Sequence, residues 1–594
     1  MTYSRLRLIL FNFWTVGILL IALLIATPIL FILTSIFADT GEIWQHLVAT
    51  VLSEYVKNAL ILMVGVGLGV LIIGVGTAWL LTRCQFWGSN ILEWALLLPL
   101  ATPAYLLAYT YTHLLDFFGP VQTTLRSLFG WVSVNDYWFP EIRNIWGAIA
   151  MLTLALYPYV YLLVRVAFTE QAGRLVEASR SLGCNPWLSF IKVALPLARP
   201  AIASGVALVL METLGDFGTV QYFGVTTFTT GIYRTWFGMG ERVAAAQLSV
   251  VLLLFIAVLI VLERLSRRQA QYYESVSSNQ PPPPYQLPQS SAIAAFLFCT
   301  IPLMFGFIIP VAYLGYLTVA NAEYTLNQNF WDMAQHSLIL GGISAILASA
   351  IALFLGYGQR QAQGKTFAPL SKGNSPFALL SKGNSPFAPL SKGGWGDLNI
   401  APIIQNGINI GVRIAALGYA IPGTVIAVGI LIPLTQLDQI LDRWMRSTFD
   451  ISTGLLFSGT ITALVFAYLV RFLAVAFNTV ESSLTKIKPS LDEASRSLGH
   501  NLLSTLLRIH LPLMWGGTLT AVMLVFVDVM KELPATLILR PFNFDTLAVK
   551  VYEYASDERL IEAAAPALTI ILVGIIPVIF LSWRITATKS PNRD

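Results

Sequence analysis

Along this chain, polar positions mark off apolar runs of about 20 residues, the length an α-helix needs to cross roughly 30 Å of hydrocarbon. Twelve such runs fall at approximately 12–37, 56–82, 91–115, 145–168, 199–223, 243–263, 291–319, 335–357, 405–433, 455–478, 513–539 and 560–582. The pattern predicts an all-α polytopic membrane protein of about 12 transmembrane helices. Arg5 and Arg7 ahead of Leu8 have the look of a signal peptide's basic region. The apolar stretch that follows is about twice the usual length of a signal-peptide core, so it reads as a retained first span.

Composition agrees with the pattern. Hydrophobic residues make up 56% of the 594 positions and charged residues only 11%, against roughly a quarter charged in soluble chains. The mean hydropathy is +0.70. Cys84, Cys184 and Cys299 are widely spaced, with no CxxC pair, and imply neither a disulfide framework nor a zinc site. The five histidines are scattered without metal-ligand spacing, and neither a metal nor any other cofactor is expected. No nucleophile–base constellation appears, so the chain does not read as an enzyme.

The net charge of +5 becomes informative only when sorted by side. With the N-terminus inside, Arg83, Arg174, Arg180, Lys192, Arg264, Arg267, Arg268, Lys486, Lys488, Arg496 and Arg508 all fall in internal segments. The opposite loops carry Asp39, Glu42, Asp116, Asp136, Glu141, Glu323 and Asp332. Both termini are therefore expected in the cytoplasm, with the lipid bilayer as the immediate partner.

One repeat organises the whole. The segment EASRSLGCNPWLSFIKVALPL from Glu177 recurs as EASRSLGHNLLSTLLRIHLPL from Glu493, with seven identical residues at its head. Leu195-Pro196 and Leu511-Pro512 keep the same offset of 316 without a gap. Upstream, VKNALIL from Val56 resembles AQHSLIL from Ala334 at a smaller offset. Two six-span halves entering the membrane in the same sense are predicted as parallel repeats, with a path at their interface. The expected organisation is a first transmembrane domain over 1–265, a linker over 266–290 and a second transmembrane domain over 291–594. The linker contains the polyproline run Pro281–Pro284. Within the second half, three near-copies of a decapeptide occupy part of 364–396 (FAPLSKGNSP, FALLSKGNSP, FAPLSKGGWG), a composition too polar and flexible to fold alone. Gly364-Lys365-Thr366 has the end of a phosphate-binding loop but lacks the glycine five residues before the pair, where Gln359 stands. ATP would have to bind elsewhere.

Each repeated segment reads as a short helix, a tight turn and a second helix. Ser490 and Glu493 have capping-box spacing, Gly183 and Gly499 can end a helix left-handed, and Asn185-Pro186 can restart one. Glu-Ala-x-x-x-x-Gly with a later Leu-Pro resembles the EAA loop of ABC import permeases of the type I fold. The resemblance implies that Glu177, Ala178, Gly183, Leu195 and Pro196, with Glu493, Ala494, Gly499, Leu511 and Pro512, form two coupling loops. These would dock two cytoplasmic ATP-binding subunits. It further implies a periplasmic or extracellular substrate-binding protein, a bacterial inner membrane location, and alternating access driven by ATP hydrolysis on the partners.

Gly215 to Ser249 and Asp528 to Ala555 resemble ferric-iron permeases in particular; fused thiamine permeases share the layout, and an ion-coupled secondary transporter is the competing class. Glu212 with Asp216, and Asp528 with Glu532, stand at i and i+4 inside predicted spans, one helix face each, and are candidates for the translocation path. Alternatively they hold helices together through Lys531, Arg540 or backbone donors.

Overall fold

The computed structural model describes residues 13–170, 179, 181–268, 285–364 and 401–588. The polyproline run and the decapeptide copies lie outside them.

The fold is helical. The principal elements of the first half are α1 (Phe13–Thr34), α2 (Leu52–Arg83), α3 (Ala104–Leu115), α4 (Ile145–Glu170), α5 (Leu195–Gly215), α6 (Gly218–Tyr222) and α7 (Arg242–Arg268). The second half follows with α8 (Gln289–Leu303), α9 (Ile309–Ala320), α10 (Gln328–Gly364), α11 (Ala401–Ala415), α12 (Gly423–Phe449) and α13 (Ile461–Leu484). It ends with α14 (Pro489–Ser497), α15 (Trp515–Met530), α16 (Pro534–Leu539) and α17 (Leu560–Thr588). Among the described residues, ten helices are long and apolar enough to cross a membrane, or twelve if two bent pairs each count as one span. The only strand pairing there joins Cys84–Gln85 to Tyr285–Gln286 in parallel.

Four runs expected to be continuous are broken. The run at 91–115 bends by 90° between Ala101 and Ala104, where Pro103 bars Thr102 from helical geometry. The run at 199–223 parts between α5 and α6, that at 405–433 between α11 and α12 ahead of Pro422-Gly423, and that at 513–539 between α15 and α16 ahead of Pro534.

Two compact units are present. One comprises Met1–Ala26, Ile346–Gly418 and Phe472–Val522, and the other comprises Thr27–Ala345, Tyr419–Arg471 and Met523–Asp594. In the larger unit α2 buries Tyr55, Ala59, Leu62, Val66 and Val70, a stripe of period three to four. Its opposite face presents Leu60, Val64, Leu68 and Ile72 outward. Apolar side chains on both faces suit a helix bathed in lipid on one side and packed on the other. Along the packed side α2 approaches α4 through glycines. A methyl added at Gly69 would lie 2.7 Å from the Thr153 side chain, and one at Gly74 would lie 2.8 Å from Val160 Cβ and 3.0 Å from the Tyr161 backbone nitrogen. Small residues let membrane helices close to van der Waals contact where no hydrophobic effect drives them together. In the smaller unit α10 meets α1 by the same means, Gly358 leaving room for Ile18 and Trp14 stacking on Phe354 at 4.5 Å between ring centroids.

Wide helical turns precede three prolines. Phe190–Ala194, Met304–Ile308 and Leu506–His510 are π-turns, followed by Pro196, Pro310 and Pro512. Proline lacks an N–H and its ring crowds the carbonyl four residues back. Widening the turn moves that carbonyl aside, and the residue before each proline donates to the carbonyl five back instead, as Leu195 does to Phe190 and Leu511 to Leu506.

Gly74→Leu is expected to overpack the α2–α4 crossing by about 1–3 kcal/mol. A thermal-unfolding series on the detergent-purified protein checks this, with the exposed-face change Leu68→Ala as the control expected to leave the midpoint within a degree or so.

Candidate functional site

The repeated loop has the same construction in both halves. Gly183 and Gly499 take φ of +84° and +81°, the left-handed turn that glycine adopts at no steric cost. Across each turn a backbone N–H reaches five residues back, Cys184 to Ser179 at 3.0 Å and His500 to Ser495 at 3.1 Å. The side-chain oxygens of Asn185 and Asn501 then cap the next helix, accepting from the backbone N–H of Leu188 at 2.7 Å and of Ser504 at 2.8 Å. A hydroxyl pair ties the two arms together, Ser179 to Ser189 and Ser495 to Thr505, both at 2.7 Å. Leu195-Pro196 and Leu511-Pro512 close each arm just after its π-turn.

Among the expected loop residues, Glu177 and Ala178 lie outside the described ones. Glu493 and Ala494 are exposed on α14. So are Leu182 and Leu498, at 84% and 77%, each immediately before its turn glycine. The capping box expected from Ser490 and Glu493 does not form. Lys488 is the N-cap and Pro489 takes the first helical position, with no side-chain cap bond, because proline's fixed φ and missing N–H suit that position.

The intramembrane carboxylates are arranged differently from the expected i,i+4 faces. Each helix ends between the two members of a pair, so Asp216 and Glu532 follow α5 and α15 rather than riding on them. Both carboxylates instead receive the backbone of the next short helix. Asp216 accepts from the N–H groups of Thr219 and Val220 at 3.1 Å each. Glu532 accepts from those of Ala535 and Thr536 at 3.0 Å each, which are the same positions 316 residues on. A carboxylate at a helix start answers otherwise orphaned donors and the positive end of the helix dipole.

The cations are not duplicated. Buried Glu532 pairs with Arg471 at 3.0 Å, and Asp528 with Lys531 at 2.8 Å, whereas the corresponding first-half positions hold Ala155 and Gly215. Arg540, the other candidate partner, goes to Glu553 at 2.7 Å and to Asp545. Glu212 and Asp528 share the neighbourhood of Tyr159, Tyr419 and Lys531, and the Tyr105 hydroxyl donates to the Lys531 carbonyl at 3.3 Å.

The helix breaks converge on this cluster. A Cβ on Gly218 would lie 2.7 Å from Tyr105 Cβ and 2.9 Å from Leu533 Cδ2; one on Gly215 would lie 3.6 Å from Pro422. A Cβ on Gly423 would collide with Arg471 Nη1 and Glu532 Oε1. At Gly218 and Gly423 a bare backbone lets the broken spans meet around the ion pairs, whereas Gly215 stands at ordinary contact distance from Pro422. Sequence reasoning passed over Arg471, although a lone arginine inside the run at 455–478 was signal enough.

Residues 70–271 match the family described as binding-protein-dependent transport system inner membrane component. The molybdenum transport system permease protein ModB of Escherichia coli (strain K12) is 30% identical over 185 residues, 30% of this chain and 77% of that protein. The chain belongs to this family of inner membrane permeases. Other relatives match it nearly end to end. The Fe(3+)-transport system permease protein FbpB 2 of Haemophilus influenzae is 26% identical over 575 residues, covering 96% of this chain and 98% of that protein. The ferric transport system permease protein FbpB of Actinobacillus pleuropneumoniae is 23% identical over 600 residues, 97% and 78% of the two chains. This permease is thus a multi-pass membrane protein of two fused repeats, similar throughout its length to ferric-type permeases.

Two outcomes follow from the permease's site. Gly499→Ala, strained at φ +81° but with open space around its Cβ, is expected to cost about 1 kcal/mol locally, seen as roughly fivefold faster hydrogen exchange over 489–505. Arg471→Leu strands Glu532 in the interior at a cost of about 3–5 kcal/mol; size-exclusion and thermal-stability assays should show the loss, with Arg471→Lys intermediate.

Proposed function

We propose that this permease is the membrane subunit of a ferric-iron importer powered by two separate ATP-hydrolysing subunits and fed by a substrate-binding protein on the opposite side of the membrane. The observation that carries this reading is the duplicated loop, built twice with the same turn glycine, cap and hydroxyl tie. A single such loop serves many structural ends; a pair at matched positions of two repeats suits two identical partners. Leu182 and Leu498 leave each partner one exposed apolar contact on its loop. With both loops and both termini in the cytoplasm, closure of the ATPase pair would pull on both loops and rock the halves about the path between them. An ion-coupled transporter gives these loops no task.

Discontinuous helices meeting deep in a transporter are where substrate sites are built, since freed backbone is tolerated there. Glu212, Asp216, Asp528 and Glu532 are placed about such breaks, four acids against the two bases Lys531 and Arg471. That excess of hard oxygen donors favours a hard cation in transit. The full-length relatives carry iron names, which supports ferric iron over thiamine.

The test is uptake and ATPase stimulation in proteoliposomes containing the assembled complex, with iron-loaded and thiamine-loaded binding proteins compared. Iron alone should drive stimulation and uptake, and only with the ATPase subunits present. Glu212→Gln removes a path carboxylate without touching either helix cap. It is expected to reduce iron uptake about tenfold, the effect of losing one charged contact, while basal ATPase stays within twofold. Thiamine-dependent stimulation, or wild-type iron uptake by Glu212→Gln, would overturn the substrate assignment or the path assignment respectively.

A further inference from the structure

One arginine fastens the second loop to its own half. Near the end of α10, Arg360 donates from Nη1 to the carbonyl of Leu484 at 2.6 Å and from Nη2 to that of Ile487 at 2.9 Å. The same guanidinium grips Asp492 Oδ2 from Nε at 2.9 Å and from Nη2 at 2.7 Å. Leu484 is the last residue of α13, Ile487 lies in the turn that follows, and Asp492 sits in the first turn of α14. A single planar fork therefore joins the end of one span, the end of another and the start of the loop helix. The side chains of Arg360 and Asp492 are only 17% and 12% exposed. The other Asp492 oxygen lies 3.1 Å from Nε2 of His510, whose fully buried ring stands edge-on to Tyr357 at 5.4 Å between centroids.

The first half repeats one part of this arrangement. Arg83, ending α2, donates to the carbonyl of Phe168, which corresponds to Leu484 at the offset of 316. The positions corresponding to Asp492 and His510 are Val176 and Ala194, and Ala194 is buried. The carbonyl anchor is common to both repeats.

We infer that Arg360 and Asp492 are positioning residues that act as one unit to set the orientation of the second loop helix. This rests on the coupling role proposed above for the loops. Two N–H groups of one rigid guanidinium converging on a single carboxylate oxygen fix direction as well as distance, and lysine cannot reproduce that fork. Force applied to α14 passes through this contact directly to the ends of α10 and α13.

The experiment is a double-mutant cycle on the reconstituted complex, reading iron taken up per ATP hydrolysed for wild type, Arg360→Gln, Asp492→Asn and the pair. Each single change is expected to lower that ratio about tenfold, the shift of equilibrium that losing a charge-assisted contact brings. Complex assembly and basal ATPase should persist. The double variant should be no worse than the weaker single, because both remove the same contact. Losses that multiply, or an unchanged ratio in either single, overturn the inference. Should Arg360→Gln fail to assemble with the ATPase, Asp492→Asn and Arg360→Lys decide alone: wild-type ratios in both overturn it, and a reduced ratio with intact assembly supports it. Wild-type uptake that needs no ATPase subunit would sink the coupling role itself, and this inference with it; normal wild-type coupling with multiplying losses sinks only the clamp.

Discussion

A backbone interrupted inside a membrane must carry its own hydrogen-bond partners, because lipid supplies none. That constraint shapes the centre of this permease. Where α5 and α15 stop, Asp216 and Glu532 turn to receive the first free N–H groups of α6 and α16. In the function proposed above, the carboxylates that make the breaks tolerable would also line the path of a passing ion. Arg471 and Lys531 then offset part of the negative charge, and Gly218 and Gly423 open the space in which the broken ends meet. Removing the carboxylates from this account leaves short helices with orphaned donors in hydrocarbon.

Much of this architecture could be read from residues alone. The twelve apolar runs followed from their length, and the two-repeat plan followed from seven identical residues at Glu177 and Glu493. The glycine turns at Gly183 and Gly499 and the cap at Asn185 followed from local chemistry that depends on few neighbours. What escaped was set by longer-range packing. Apolar composition continues through Pro103, Gly215-Asp216 and Pro534, so hydropathy reports one span where the backbone makes two segments. The i,i+4 spacing of Glu212 with Asp216 assumed an unbroken helix. Ser490 and Glu493 had the right spacing for a box, but Pro489 claimed the first turn. Arg360 was missed because its partner Asp492 stands one residue before the repeated motif. Comparing the two copies position by position would have set that aspartate against Val176.

The repeats have diverged unequally around a constant frame. Turn glycines, caps, hydroxyl ties, π-turns and helix-capping acids are retained in both. The cations Arg471 and Lys531 and the Asp492–His510 pair are found in the second alone. Duplicated backbone geometry is hard to alter piecemeal, since each element satisfies hydrogen bonds that would otherwise be lost. Side-chain charge is freer to specialise, and fusing both copies in one chain allows each to do so separately.

The small parallel pairing of Cys84–Gln85 with Tyr285–Gln286 has a consequence for how such a chain can lengthen. It pins the start of the second repeat to the foot of α2, only a few residues before α8 begins at Gln289. Two points of the backbone are thereby held together, and the entropic cost of lengthening the chain between two such points grows only with the logarithm of its length. The position of α8 beside the foot of α2 is therefore set by this pairing itself and not by the number of residues between Arg268 and Tyr285.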